Sequence, residues 1–477
     1  MRFPLVPLGE DLRETRMAAR QRQILRRLYI VSSEFRPFAR KTGLSDLCAV
    51  AKQMPSGREV TLIMPRYEGG PEAQEQDLRY VRMPLRGFHV RVNQSGRVRG
   101  TIPCRTELWE RFSEQVVSFI EEDTGGSGSF DVLAVDWPTG AAVRRLKGMG
   151  LPREGRVAFT LDLVPPEEPA YRLWWDGIEH ADVLHLPTER WWRRIRRAER
   201  NPNRPGQLLS SHEAKVRFAR LGIDPDMYDP SRAEGRFADC TYGREDTAEE
   251  IRAGKRRAKQ EVQKIRGLER DPEAMLLITA GRWSADDQKN FVGMLPVVEE
   301  ILDRQHPVQF HVRLVALPED ERDSYLVHAY QRLAERWSNR LVVPMTPKSF
   351  SKLPWADLLR AADAQLVPSR YEPCGLNHVQ GMVFGVVPIC SSAVSEGDDV
   401  LVDEDDRSPG RGNSFLFQWD DNFPLASGQR MVDALRKAIS IYSEQPGRWA
   451  QIRANTMRDA QKYTWGYLAR AYQDLFR

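Results

Sequence analysis

Two successive doubly wound α/β domains, each a parallel sheet covered by helices on both faces, are the fold this sequence predicts, and three observations carry the prediction. Short aliphatic or β-branched runs alternate with longer helical patterns, the runs fall into two series, and a charged stretch without a strand candidate separates them. Parallel neighbours need a crossover connection, usually a helix, and strands buried on both faces read as continuous apolar runs rather than as alternation.

The first series is Leu28 to Ser32, Val60 to Met64, Val132 to Val135, Val157 to Leu161 and Val183 to Leu186. The second is Met275 to Thr279, Phe310 to Val315, Leu341 to Pro344, Gln365 to Val367 and Val386 to Ile389. Between them, Arg232 to Lys264 is heavily charged; Thr247 with Glu250 fits a capping box opening a helix that runs to about Ile265. The domain boundary is expected between residues 225 and 245, set at 235. The resulting division is an N-terminal extension (1–20), an N-terminal Rossmann-like domain (21–235), a C-terminal one (236–455) and a closing helix (456–477) crossing back to the first domain. Helical periodicity over Arg448 to Phe476 supports that last element. No internal repeat or low-complexity tract is present.

Of 477 residues, 29% are charged and 41% hydrophobic, an ordinary balance for a soluble globular chain of this size. Lys+Arg (71) and Asp+Glu (67) nearly cancel to +4, so the global field gives no case for nucleic acid. Arg193, Arg194, Arg196 and Arg197 follow Trp191 and Trp192; the favoured reading is a solvated helix face with its tryptophans packed inward. Five dispersed cysteines without a Cys-x-x-Cys pair argue against a zinc site or a disulfide framework and fit a reducing cytoplasm. No apolar run approaches membrane-spanning length, and the first residues break their apolar character with Pro4 and Pro7, so neither a membrane nor a leader is expected.

The most informative stretch is Pro368-Ser-Arg-Tyr-Glu-Pro-Cys-Gly-Leu376, which follows the apolar run Ala364 to Val367 and leads into an amphipathic segment. Ligands of open parallel sheets bind at the carboxyl ends of strands, and the first amides of a helix lack intrahelical partners. Glu372 supplies a carboxylate that accepts hydrogen bonds from hydroxyls, and Gly375 lets backbone amides approach an anion. An ordinary surface turn built by Pro373 and Gly375 is the competing reading. His378 and Cys374 are read as packing residues by default, and His180 and His185 have no plausible ligand partners nearby in sequence.

With these residues in place the chain resembles the glycogen and starch synthases, retaining glucosyltransferases of the two-domain GT-B fold that use ADP-glucose, over roughly residues 27 to 475. Ala361-Ala362-Asp363 and the Glu372 loop look like the family's donor-site signature, in which the equivalent of Glu372 contacts the glucose hydroxyls while the amides after Gly375, from Cys374-Gly375-Leu376, face the diphosphate. Gly281-Arg282 resembles a Gly-Arg-Leu whose arginine binds phosphate. The family's lysine falls at Asp287, and Lys289 takes its place if the loop has gained two residues. Arg40, Lys41, Thr42 and Gly43 belong to a segment similar to the family's Lys-Thr-Gly-Gly-Leu-x-Asp; ungapped, Arg40 takes the lysine position, and with an insertion and a deletion Lys41-Thr42-Gly43 matches. Asp136-Trp137-Pro138-Thr139-Gly140 resembles Asp-Trp-His-Thr-Gly. Asp162 stands where the family has a donor-contacting histidine, and Val394 stands near the place of a phosphate-facing glycine pair.

The resemblance implies transfer of glucose to the non-reducing end of an α-1,4-glucan, with Glu372, Arg282 and Lys289 as the catalytic set, a nucleotide-sugar donor as partner, and no metal or resident cofactor. The altered positions leave open a catalytically impaired glucan-binding or regulatory pseudoenzyme, or a GT-B transferase for another nucleotide sugar.

Overall fold

The computed structural model describes residues 26–35, 47–54, 58–69, 78–92, 98–99, 103–162, 168–198, 207–282, 287–304, 306–315, 324–395, 398 and 400–477. The chain forms two compact units, one reaching to Gly222 and including Trp465–Arg477, the other spanning Ile223–Thr464.

The first unit carries β1 (Arg27–Val31), β2 (Val60–Pro65), β3 (Arg79–Met83), the small antiparallel pair β4 (Arg91–Val92) and β5 (Val98–Arg99), then β6 (Phe130–Val135), β7 (Val157–Thr160), β8 (Val183–Leu186) and β9 (Val216–Phe218). Its sheet has the order β3-β2-β1-β6-β7-β8-β9, parallel throughout. The second unit carries β10 (Met275–Arg282), β11 (Val308–Val315), β12 (Leu341–Val342), β13 (Ala364–Val367), β14 (Val387–Ser391) and β15 (Phe415–Phe417), ordered β12-β11-β10-β13-β14-β15 and again parallel. That is the doubly wound order 3-2-1-4-5-6, whose direction reverses between its first and fourth strands.

All ten expected runs form strands, because each is apolar enough to be buried on both faces. β3, β9 and β15 lie at sheet edges: Arg79 and Arg82 interrupt β3, Arg217 and Phe218 of β9 are exposed, and the apolar Phe415–Phe417 of β15 is only 3 residues long.

The units part at Gly222–Ile223 rather than at residue 235. Ile223, Tyr228, Phe237 and Cys240, in an irregular stretch that offers no strand pattern, bury into the core of the second unit. Next comes the helix Ala248–Arg266, opened by a complete capping box in which Glu250 N donates to Thr247 Oγ1 (3.3 Å) and Thr247 N donates to Glu250 Oε2 (2.8 Å). It stops at Gly267, whose φ of 72° suits glycine.

The last segment is two helices rather than one. Pro446–Ala460 stays in the second unit, a short turn at Gln461–Tyr463 follows, and only Trp465–Asp474 belongs to the first. Trp465 and Tyr472 of that closing helix are fully buried there, Tyr472 lying edge-on to His185 at 5.1 Å. Gly140 is fixed by packing: a Cβ at that position would come within 1.7 Å of Leu173 O, so only glycine lets the helix Gly140–Gly148 lie against Glu168–His180. Trp191 and Trp192 are buried while Arg193 pairs with Glu189 (2.6 Å) and Arg196 with Glu213 (3.2 Å), the solvated-face arrangement. Among the described residues no helix is long and apolar enough to cross a membrane.

Candidate active site

In the second unit the sheet order reverses between β10 and β13, and a ligand crevice is expected outside the carboxyl ends of these two strands. β10 ends in Gly281 and Arg282; β13 runs into Pro368 and the Glu372 loop. Side chains staple the two loops together. Asn290 Nδ2 donates to Pro368 O (3.1 Å), Gln288 Nε2 to Tyr371 O (3.2 Å) and Arg370 N to Gln288 O (2.9 Å), while Asn377 Nδ2 reaches back to Ala280 O (2.9 Å). Ser391 Oγ, at the end of β14, holds Ser369 O (2.5 Å). Gly375 has a φ of +63°, a left-handed conformation that a side chain there would strain.

Glu372 is the centre of this arrangement. Its side chain is only 8% exposed and forms an ion pair with Lys289 Nζ, itself 18% exposed. Both Lys289 Nζ and Ser369 Oγ (2.7 Å) donate to Oε1, and Oε2 accepts from no described residue. One oxygen is therefore braced and the other stays available to a hydroxyl donor. Arg282 is exposed and makes no hydrogen bond or ion pair with another described residue.

Asp287 cannot take the family lysine's role. At φ 49° its carboxylate accepts from Phe291 N (2.7 Å) and Val292 N (3.3 Å), capping the helix Phe291–Asp303 whose first amides otherwise lack partners. That cap turns the chain so that Lys289, two residues on, meets Glu372.

Other expected residues fall in different places. Cys374 and Leu376 are half-buried in the loop and the helix start. His378 is a core residue, 1% exposed, with Nε2 3.6 Å from Asp398 Oδ2 and its ring edge-on to Tyr463. Val394, near the place of the family's glycine pair, packs into the core of the second unit with Val400 and Leu401. Asp162 is buried just past the end of β7 in the first unit. Arg40, Lys41, Thr42 and Gly43 lie outside the described residues.

Sequence reasoning missed two features. Ser369 braces Glu372, a role its three-residue spacing does not reveal. At the first unit's own reversal point, between β1 and β6, Asp136 adopts φ 65°, ψ 174°, a region almost reserved for glycine that costs roughly 1–3 kcal/mol. Thr139 Oγ1 and Thr139 N both donate to Asp136 O (2.8 and 3.0 Å), which holds the strained turn at a strand's carboxyl end.

No family model matches the chain. A glycogen synthase of Aeromonas salmonicida (strain A449) is 30% identical over 271 residues, 57% of this chain and 49% of that protein. One of Glaesserella parasuis serovar 5 (strain SH0165) is 26% identical over 375 residues, 73% of this chain and 72% of that protein. The chain is a divergent homologue of the glycogen and starch synthases. This synthase homologue spans about half the length of several curated relatives it matches, 49%, 56% and 51% in three of them. Among solved structures, the catalytic domain of Starch Synthase IV from Arabidopsis thaliana bound to ADP and acarbose matches it with a TM-score of 0.70 at 18% identity, covering 94% of this chain and 98% of that one. A sucrose-phosphate synthase from Thermosynechococcus elongatus follows at 0.59 and 14%, covering 94% and 98%. The fold of the homologue is GT-B, two parallel-sheet α/β domains of seven and six strands.

Proposed function

We propose that this synthase homologue transfers glucose, with retention, from ADP-glucose to the non-reducing end of an α-1,4-glucan. The observation that carries the reading is the half-braced carboxylate of Glu372, at the sheet's reversal point, paired with Lys289, while Arg282, which bonds to no other described residue, ends the neighbouring strand β10. In this reading Glu372 Oε2 accepts from hydroxyls of the donor glucose. Lys289, an ammonium with three donors, is shared between Glu372 and the diphosphate, and Arg282 adds a second cation there. The bond from the anomeric carbon to the diphosphate breaks, the acceptor oxygen takes its place, and the acceptor proton passes to a diphosphate oxygen. No metal or resident cofactor is required.

The names of the relatives, glycogen and starch synthases, support the donor and acceptor, as does the ADP bound to the Arabidopsis starch synthase catalytic domain. A second reading, a glucan-binding protein without turnover, is favoured by one observation: a buried carboxylate, Asp162, stands where the family has a histidine. Glycogen-dependent release of ADP from ADP-glucose decides between them. Turnover is expected in the natural chain, and Glu372→Ala or Lys289→Ala should lower it about 10²- to 10³-fold, the usual loss for one preorganised polar contact. Glycogen binding without ADP release would replace the first reading by the second. A thermal-shift comparison of ADP-glucose with other nucleotide sugars tests the donor, since only a bound donor raises the melting temperature.

A further inference from the structure

At the opposite end of the second sheet, a cavity of about 490 Å³ opens at the amino ends of the strands. Glu273 and Ala274 lead into β10, Pro307 into β11 and Asp363 into β13, and all but Ala274 line it. Five cations line it too: Arg252, Lys255, Arg256, Lys259 and Arg453. Three of them are almost wholly buried, Lys255 at 2%, Lys259 at 1% and Arg453 at 5% exposure; Lys259 is paired with Asp363, and neither Lys255 nor Arg453 has a carboxylate within ion-pair distance among the described residues.

Their bonding is incomplete. Lys255 Nζ, with three N–H donors, gives one to Ala362 O (2.6 Å) and otherwise lies over the Tyr242 ring. Arg453, with five donors, gives one to Ala248 O (3.0 Å). The acidic wall residues are held by the other three wall cations and by backbone amides, or are exposed to solvent. Asp363 is held by Lys259 (2.6 Å) and Leu276 N (2.8 Å), Glu273 by Arg252 (3.0 Å) and Arg256 (3.1 Å), and Asp271 Oδ1 by Glu273 N (2.9 Å) and Ala274 N (3.1 Å), while Glu249 is exposed. The helix Pro446–Ala460 begins on the same wall with Pro446 and Gly447, and no side chain caps it. Buried cations with unused donors beside an open helix start favour a small, multiply charged anion with several acceptor oxygens.

We propose that this cavity is a binding site for a small phosphate-bearing molecule, separate from the sugar-nucleotide site at the carboxyl ends of the same strands. Phosphate fits because three or four oxygens take up the donors that Lys255 and Arg453 leave unused. The volume beyond the anion, bordered by Ser443 and Tyr442, admits a small polar group, within the usual range for ligand cavities.

The test is calorimetric titration with inorganic phosphate and with glycerol phosphate. The Arg282→Ala variant, which weakens any anion site at the carboxyl ends, should keep saturable binding. A double variant, Arg252→Gln with Arg256→Gln, alters side chains about half exposed (49% and 51%), so it should fold normally; it removes two positive charges from the wall and leaves the lining carboxylate Glu273 without its cations, and should lose at least tenfold in affinity. Arg453→Met should lose more, and if it fails to fold the double variant decides. Tighter binding of the ester identifies a phosphate monoester as the ligand, and equal binding identifies the free ion. No saturable binding, binding abolished by Arg282→Ala, or binding unchanged in the double variant overturns the proposal.

Discussion

Strand β13 carries a lysine–carboxylate pair at each of its ends, and the two pairs behave differently. At the amino end Lys259 meets Asp363 at 2.6 Å, with side chains 2% and 5% exposed. At the carboxyl end Lys289 meets Glu372, 18% and 8% exposed. Asp363 is tied into the sheet on every side: its carboxylate holds Leu276 N (2.8 Å), its own N donates to Leu276 O (2.9 Å) and its O accepts from Val387 N (3.0 Å). Lys259 meanwhile serves the carbonyls of Pro272 (3.1 Å) and Ala274 (2.8 Å). Among the described residues Glu372 has only Lys289 and Ser369 as side-chain partners, both on one oxygen. The lesson is that the chemical identity of a buried pair does not fix its role; the bonding capacity it leaves open does.

The largest effect expected of this difference is on stability. Asp363→Ala strands a buried ammonium and unpairs a strand amide, a loss of about 3–5 kcal/mol in urea unfolding. Glu372→Gln keeps shape and bracing, so its unfolding free energy should change by less than about 1 kcal/mol while glycogen-dependent turnover collapses. If Glu372→Gln destabilised the chain as much as Asp363→Ala, the two ends of β13 would have to be read alike.

A histidine in the first unit extends the same rule. His185 Nε2 donates to Ala219 O (2.7 Å), which leaves Nδ1 to accept from Thr160 Oγ1 (3.0 Å), so neither nitrogen is left for a ligand. Burial pushes its pKa down to about 4, so the folded state holds it neutral. Its contribution is then complete above the ordinary value of about 6.5 and is lost as pH falls through the folded value. Acidification from 6.5 to 4 should remove about 3 kcal/mol. Carboxylates titrate in the same window, so the pH slope of the unfolding free energy is compared between the natural chain and His185→Gln. Parallel slopes would mean that His185 is not the buried neutral group this geometry describes.

How much of this was legible in the sequence follows from the same physics. The central strands were readable because burial on both faces demands continuous apolar runs, and Glu372 because a carboxylate beside glycine after such a run is distinctive. The choice between Asp287 and Lys289 was not readable, since it depends on Asp287 turning to cap a helix at φ 49°. Nor was the amino-end cavity. The stretch Arg232 to Lys264 read as heavily charged, with a capped helix and no strand, yet Lys255 and Lys259 in it are 2% and 1% exposed. Charge along a sequence does not say which helix face turns inward.

The smallest expected effect asks whether the two ends of the sheet communicate. The helix bearing Lys255 and Lys259 starts at Thr247, whose hydroxyl caps Glu250 N. Thr247→Ala should cost about 1 kcal/mol, the usual value for losing a cap; the hydroxyl's bond to Glu250 Oε2 goes as well, while the backbone amide at 247 still donates to that carboxylate. The bonds of Lys255 and Lys259 lie two and three turns further along the helix, where fraying of the first turn does not reach. Stability should therefore fall while glycogen-dependent ADP release stays at the level of the natural chain. A parallel fall in turnover, measured where the variant is fully folded, would show that the amino-end cluster sets the geometry around Glu372, and that β13 transmits strain from one pair to the other.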